Sequence, residues 1–302
     1  VVRIASLLPS ATEIAFALGL GESVVAVTFE CNHPGDPRVG RPVVVGGIDT
    51  AGLDAGAIDT AVRARLAAGE NLYTLDLDAL AACHADLVLT QDLCRVCALA
   101  ADEVGAAMAA IGPGPHVVTL DPHTLDDVLA SIVAVGEAAG VPERAGEIVA
   151  ELQARLAAVT AAVAAGPTAD AAPTVFVLEW PDPPFGAGHW VPDLVTAAGG
   201  RPVLGAAGAR SVPTTWDAIA SADPDIVLVA SCGFGLDGTR EHAKGVCAQL
   251  PARTEVWAID ADGLVVRPGP RVVTGVEAMA GAFHGVGPVD PTMVECVRRG
   301  RR

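Results

Sequence analysis

Short runs of β-branched and aliphatic residues alternate along this chain with alanine-rich stretches whose apolar residues recur at helical spacing. That alternation is the pattern of parallel strands covered by helices, and it restricts the fold to the α/β class. In the first half, strands are expected near Arg3–Ser6, Ser23–Thr28, Asp86–Thr90 and His116–Thr119. Helices are expected near Ala11–Leu18, Ile58–Ala67, Ala98–Ile111 and Leu125–Ala139. From Asp126 to Ala165 the pattern is helical apart from Gly140-Val141-Pro142. After the break at Gly166-Pro167, strands resume at Thr174–Leu178, Ile226–Ala230 and Glu255–Ile259. A chain of 302 residues exceeds the usual size of one hydrophobic core. The expectation is two doubly wound lobes with mainly parallel sheets, residues 1–135 and 167–302, joined by one long helix over 136–166. The halves echo each other once: Ala85-Asp86-Leu87-Val88-Leu89-Thr90 resembles Pro224-Asp225-Ile226-Val227-Leu228-Val229.

Charge narrows the partners. With 19 basic and 36 acidic residues the net charge is -17, a field that repels a phosphate backbone, so nucleic acid is not expected as a partner. The basic tail Arg298, Arg299, Arg301 and Arg302 reads as a solvated terminus. Apolar runs such as Val43–Val45 and Ile226–Ala230 are far shorter than the roughly 20 residues of a membrane span, and no transmembrane segment is expected. The opening residues read as a strand rather than a signal peptide, which favours a cytoplasmic location, or a periplasmic or extracellular one if a signal was removed. The cysteines are odd in number and irregularly spaced, unlike a secreted disulfide framework.

In open α/β sheets ligands lie beyond the carboxyl ends of the strands. Three expected strands deliver cysteines there: Cys31, Cys94 with Cys97, and Cys232. Cys83, Cys247 and Cys296 fall elsewhere and read as packing thiols. Cys94-Arg95-Val96-Cys97 at a helix start would favour thiolates, and four such sulfurs would suit zinc or an iron-sulfur cluster. The same four residues also read as small buried side chains. Glu30 and His33 flank Cys31 as further candidate ligands. A redox dithiol at Cys94 and Cys97 is a third reading.

Aromatic residues make up only 4% of the chain, yet Glu179-Trp180-Pro181-Asp182-Pro183-Pro184-Phe185-Gly186-Ala187-Gly188-His189-Trp190 holds three of them after a strand. Trp180 and Trp190 are candidate stacking platforms for a large planar ligand, with His189 beside them. No glycine-rich phosphate loop and no serine-histidine-carboxylate set stands out.

The stretch Ile4-Ala5-Ser6-Leu7-Leu8-Pro9-Ser10-Ala11-Thr12-Glu13-Ile14, followed by Thr90-Gln91-Asp92, Gly188-His189-Trp190-Val191-Pro192-Asp193, Trp216-Asp217-Ala218-Ile219 and Asp223-Pro224-Asp225-Ile226-Val227, resembles the vitamin B12 and siderophore binding proteins of ABC importers. Arg267-Pro268-Gly269-Pro270-Arg271 resembles their cobalamin-binding subgroup. The resemblance implies two α/β lobes on a long helix, a cobalamin or related chelate held in the cleft between them, and an ABC permease as partner if the protein is exported. Pro9, Ser10, Trp180, His189, Trp190 and Arg271 are the ligand-binding residues expected on this reading, with Glu22 or Glu103 as docking carboxylates. The alternative is a cytoplasmic iron-sulfur or zinc metalloprotein on the same fold, with Cys31, Cys94, Cys97 and Cys232 as ligands. If it is an enzyme, Glu30 or Glu179 would handle protons.

Overall fold

The computed structural model describes the chain except for Asp49, Ala51, residues 92–113, residues 167–171, Pro288 and the last two residues. The expected helix over Ala98–Ile111, together with Cys94, Cys97 and Glu103, lies outside the described residues. The chain divides into two compact units, Val1–Pro122 with Leu129–Ala150, and His123–Val128 with Glu151–Arg302.

Unit 1 is built on β1 (Ile4–Ser6), β2 (Val24–Thr28), β3 (Val43–Gly47), β4 (Tyr73–Leu75), β5 (Leu87–Thr90) and β6 (His116–Thr119). They lie in the order β4-β3-β2-β1-β5-β6, and every pairing is parallel except β3 with β4. Parallel strands are buried on both faces, which is why β1 and β5 consist of buried residues throughout. Helix α1 (Pro9–Ala17) starts directly after β1, with proline in its first turn, where the missing N–H leaves no orphan. Helices α2 (Ala55–Ala67) and α3 (Leu77–Ala82) are each capped by an aspartate, Asp54 accepting from Ala57 N–H and Asp76 from Ala79 N–H. Cys83 is a packing thiol, as expected: it lies in the core with Leu80, Val44 and Val88.

Two helices follow, α4 (Leu125–Ala138) and α5 (Pro142–Ala165). By length and composition alone α5 could cross a bilayer. Arg155, in its middle, would be costly in hydrocarbon. It is instead gripped by Glu277, through Nε at 2.9 Å and Nη2 at 2.6 Å, and donates to Thr274 Oγ1 at 2.8 Å. Further along, Val163 lies against Gly199, whose φ of +83° and closeness to Val163 (2.7 Å from where a methyl would stand) make glycine obligatory there. These contacts read α5 as a helix laid along its own protein, consistent with the expectation of no membrane span.

Unit 2 contains β7 (Thr174–Pro181), β8 (Pro184–Gly186), β9 (Arg201–Pro202), β10 (Val212–Pro213), β11 (Ile226–Val229), β12 (Glu255–Ile259) and β13 (Val294–Arg298). The order is β10-β8-β7-β11-β12-β13, with β9 also on β7. The central pairs β7–β11 and β11–β12 are parallel, and the outer strands β8, β10 and β13 run antiparallel to their neighbours. Phe176, Leu178, Val227, Val229 and Val256 form the core with Ile219 of α7 (Trp216–Ala222), the helix between α6 (Val191–Ala197) and β11. The remaining helices are α8 (Leu236–Val246), the short α9 (Ala261–Leu264) and α10 (Val272–His284).

The sequence echo has a structural meaning. Asp86, before β5, accepts from Arg3 N–H at 2.8 Å, and Asp225, before β11, accepts from Thr174 N–H at 2.8 Å. In each unit the aspartate ties the start of one central strand to the start of its parallel neighbour. Of the basic tail, Arg298 and Arg299 make contacts with the rest of unit 2, while Arg301 and Arg302 lie outside the described residues. Arg298 ends β13 and donates to the carbonyls of Cys247, Pro251 and Thr254 in the turn after α8, while the exposed Arg299 lies over the Trp257 ring at 5.0 Å.

Candidate functional site

In unit 2 the chain runs from β7 to β8 on one side and reaches β11 on the other, so the crevice of the sheet opens beyond the carboxyl ends of β7 and β11. Trp180 lies at the end of β7, and Ser231-Cys232-Gly233-Phe234 follows β11. The two loops are stitched together: Ala230 N–H donates to Leu178 O and Cys232 N–H to Glu179 O. His242, from α8, completes the group. Trp180 and Phe234 have ring centroids 6.0 Å apart at 52°, His242 stands edge-on to Phe234 at 4.7 Å and 65°, and it lies 6.3 Å from Trp180. All three rings are half-buried. His242 Nδ1 pairs with the fully buried Ser231 Oγ at 2.9 Å, and burial lowers its pKa from the ordinary histidine value, so the ring is neutral near pH 7. Trp180 Nε1 donates to Asp182 O at 3.0 Å, which fixes the indole, and Asp262 N–H donates to Phe234 O at 3.1 Å. The result is an aromatic platform braced from beneath, able to hold a flat apolar ligand face by stacking.

Phe234 and His242 were not foreseen. The rule about carboxyl ends points to the loop after β11, where the thiol is the more conspicuous group, and no spacing in the sequence brings a residue in the middle of α8 to Trp180.

The other residues of the aromatic loop go elsewhere. Trp190 is 6% exposed and donates its indole N–H to Val265 O at 2.8 Å, which wedges it into unit 2. His189 has a left-handed φ of +50°, and its ring faces His123 at 5.9 Å and Trp190 at 5.9 Å. Gly188 must be glycine, since a methyl there would meet Ala209 O and Ser211 N within 2.5 Å. Arg271, at the start of α10, places Nη1 3.0 Å from where a methyl on Gly263 would stand, over the turn capped by Asp260. Arg267 is paired with Asp262 at 2.6 Å.

In unit 1, Pro9 is half-buried just beyond the end of β1, and Ser10 is buried. Glu30 is half-buried, with its N–H on Thr28 Oγ1, and belongs to unit 1, whereas Glu179 belongs to unit 2. Glu22 is exposed in a short turn. The metal-centre expectation is not supported. Cys31 is 1% exposed and occupied by hydroxyls, with Thr12 Oγ1 at 3.1 Å and Thr28 Oγ1 at 3.3 Å, in a buried ladder that continues to Ser6. Cys232 is exposed and belongs to the other unit. Among the described residues, no group of three or more His, Cys, Asp or Glu side chains is gathered to hold a metal. A small thiol just after a strand fills a tight core position as readily as it binds zinc, and at Cys31 packing is what it does.

The model of the family described as periplasmic binding protein matches residues 4–259. This chain belongs to the periplasmic binding protein family. A relative of this binding protein is an uncharacterized ABC transporter substrate-binding lipoprotein, YvrC, of Bacillus subtilis (strain 168), 25% identical over 93% of this chain and 80% of the relative. Among solved structures, a periplasmic heme binding protein from Pseudomonas aeruginosa superimposes with a TM-score of 0.73 at 22% identity, covering 99% of both chains. The periplasmic vitamin B12 binding protein BtuF of Vibrio cholerae gives a TM-score of 0.65 at 20% identity, covering 93% of this chain and 96% of its own. The family resemblance read from the sequence and the α/β fold are thereby established. The expected cytoplasmic location is overturned, because the family is periplasmic and the Bacillus relative is a lipoprotein. The opening residues form β1 of unit 1 and have to read as a strand whatever the protein's address.

Proposed function

We propose that this periplasmic binding protein is the substrate-binding component of an ABC importer, and that its ligand is a flat metal chelate of the haem or corrinoid kind, stacked against Trp180 and Phe234. The observation that carries this reading is the aromatic platform of Trp180, Phe234 and His242 at the crevice of the unit 2 sheet. In a chain with 4% Phe, Trp and Tyr, two of these rings and a histidine meet at the place where such sheets take ligands. The names of the relatives support the class: an ABC transporter lipoprotein, a haem binder and a vitamin B12 binder. On this reading delivery to a permease follows binding. The ligand changes no bonds here; the protein supplies shape, stacking and exclusion of water.

The test is equilibrium titration of the protein with haemin and, separately, with cyanocobalamin, read by quenching of tryptophan fluorescence and by the ligand's absorption bands. Saturable one-to-one binding of either chelate that weakens about tenfold or more in Trp180→Ala supports the proposal, since loss of a stacked ring costs roughly 1–3 kcal/mol. No binding of either chelate at micromolar concentration, or binding indifferent to Trp180, refutes it.

A further inference from the structure

Residues His123–Val128 belong to unit 2 although the chain on either side of them belongs to unit 1. Hydrogen bonding, burial and a ring contact tie this short segment to unit 2. Leu125 N–H donates to Asp193 Oδ2 of α6 at 3.0 Å, and the side chains of Leu125 and Val128 are buried. At its leading end the His123 ring packs against His189 with centroids 5.9 Å apart and planes at 53°.

His189 is unusually confined. Its backbone is held by the loop that follows, its N–H donating to Ala209 O and its carbonyl accepting from Gly208 N–H. Trp190 packs on another side. Its Nε2 is buried with no hydrogen-bond partner among the described residues. The charged and titratable groups bearing on it are His123, from the segment itself, and Arg210, from the loop before β10. The neighbouring elements carry the carboxylates Asp121, Asp126, Asp127 and Asp193, of which Asp193 accepts from Leu125 N–H and Asp127 from the N–H groups of His123 and Thr124. A proton placed on His189 is therefore disfavoured by burial, by the His123 ring and by the Arg210 charge.

We propose that the His123–His189 contact is a proton-sensitive latch, which holds the His123–Val128 segment on unit 2 while His189 is neutral and loosens it when His189 is protonated. Burial, His123 and Arg210 all lower the pKa of His189 from the ordinary histidine value, so the latch stays closed near neutral pH and opens only on acidification. A protein outside the cytoplasmic membrane meets such acidification directly. The latch is independent of which ligand is bound.

The experiment is an NMR titration of the ligand-free full chain between about pH 7.5 and 5, following the imidazole C–H signals and the hydrogen-exchange protection of the Leu125 amide, corrected for intrinsic exchange. Leu125 protection is expected to fall about tenfold as His189 becomes protonated. In His189→Gln the protection should no longer depend on pH. Because the left-handed backbone at 189 makes that variant vulnerable, His123→Gln on the exposed side of the contact serves as the second variant. It should raise the pKa of His189 and shrink the pH effect. Leu125 protection that stays constant through the titration of His189, or a His189 pKa unmoved by His123→Gln, overturns the proposal.

Discussion

Trp180 and Trp190 stand ten positions apart in one loop, and their surroundings give them opposite work. Trp180 is half-buried with its indole N–H satisfied by Asp182 O, the setting that the proposed stacking role requires. Trp190 is sealed in, with its N–H on Val265 O. Trp190→Ala should therefore destabilise the protein by about 3–5 kcal/mol, measured by denaturant unfolding, from lost burial and the cavity left behind. Trp180→Ala should cost far less stability while weakening chelate binding. If both variants lost equal stability, the platform would be a structural plug. Cys31 illustrates how a residue's chemistry depends on its neighbours. Two threonine hydroxyls occupy its sulfur, and Cys31→Ser should leave the metal content of the purified protein unchanged, as read by elemental analysis.

Among the elements, α5 shows how a helix that is apolar by composition is kept on its own protein. Its attachment to unit 2 rests on the two-pronged Arg155–Glu277 pair and on the close approach of Val163 to Gly199. The ion pair is partly solvated, so Arg155→Ala should cost only about 1 kcal/mol. Gly199→Ala combines a left-handed backbone with a methyl placed against Val163 and His284, and should cost several times more; thermal unfolding of the two variants side by side checks the ranking. The paired aspartates Asp86 and Asp225 belong to this scale as well. Each ties the starts of two parallel strands together, and the short repeat visible in the sequence is the trace of that shared device.

For the whole molecule, His189 and His242 both have pKa values lowered by burial in the folded state. The unfolded chain binds protons more readily at these two positions, so the stability they contribute is present above about pH 6.5, the ordinary histidine value, and is lost as pH falls through the folded values. The carboxyls of Asp36, Asp127 and Asp290 are also held below their ordinary value, and their contribution is lost only in the acid carboxylate range. Thermal midpoints should therefore drop between pH 7 and 5, and His242→Gln should flatten that slope. An unchanged slope would mean that the imidazole is solvated in the folded protein.

The sequence by itself determined the α/β class, most of the central strands, the long helical stretch before Gly166 and the family, because strand runs, helical periodicity and glycine-proline breaks are local properties that need no partner to be read. It also pointed to the loops after β7 and β11. Edge strands such as β4 and β13 were not legible, since Tyr73–Leu75 and Val294–Arg298 become strands only when a neighbour supplies the hydrogen bonds. The make-up of the site was decided by tertiary structure alone: α8 carries His242 to Ser231 and Trp180 across a long stretch of chain, while the fold turns Trp190 inward and pairs His189 with His123. Which side chains meet is set by how helices pack on a sheet, and that packing leaves no periodic mark in the residues it brings together.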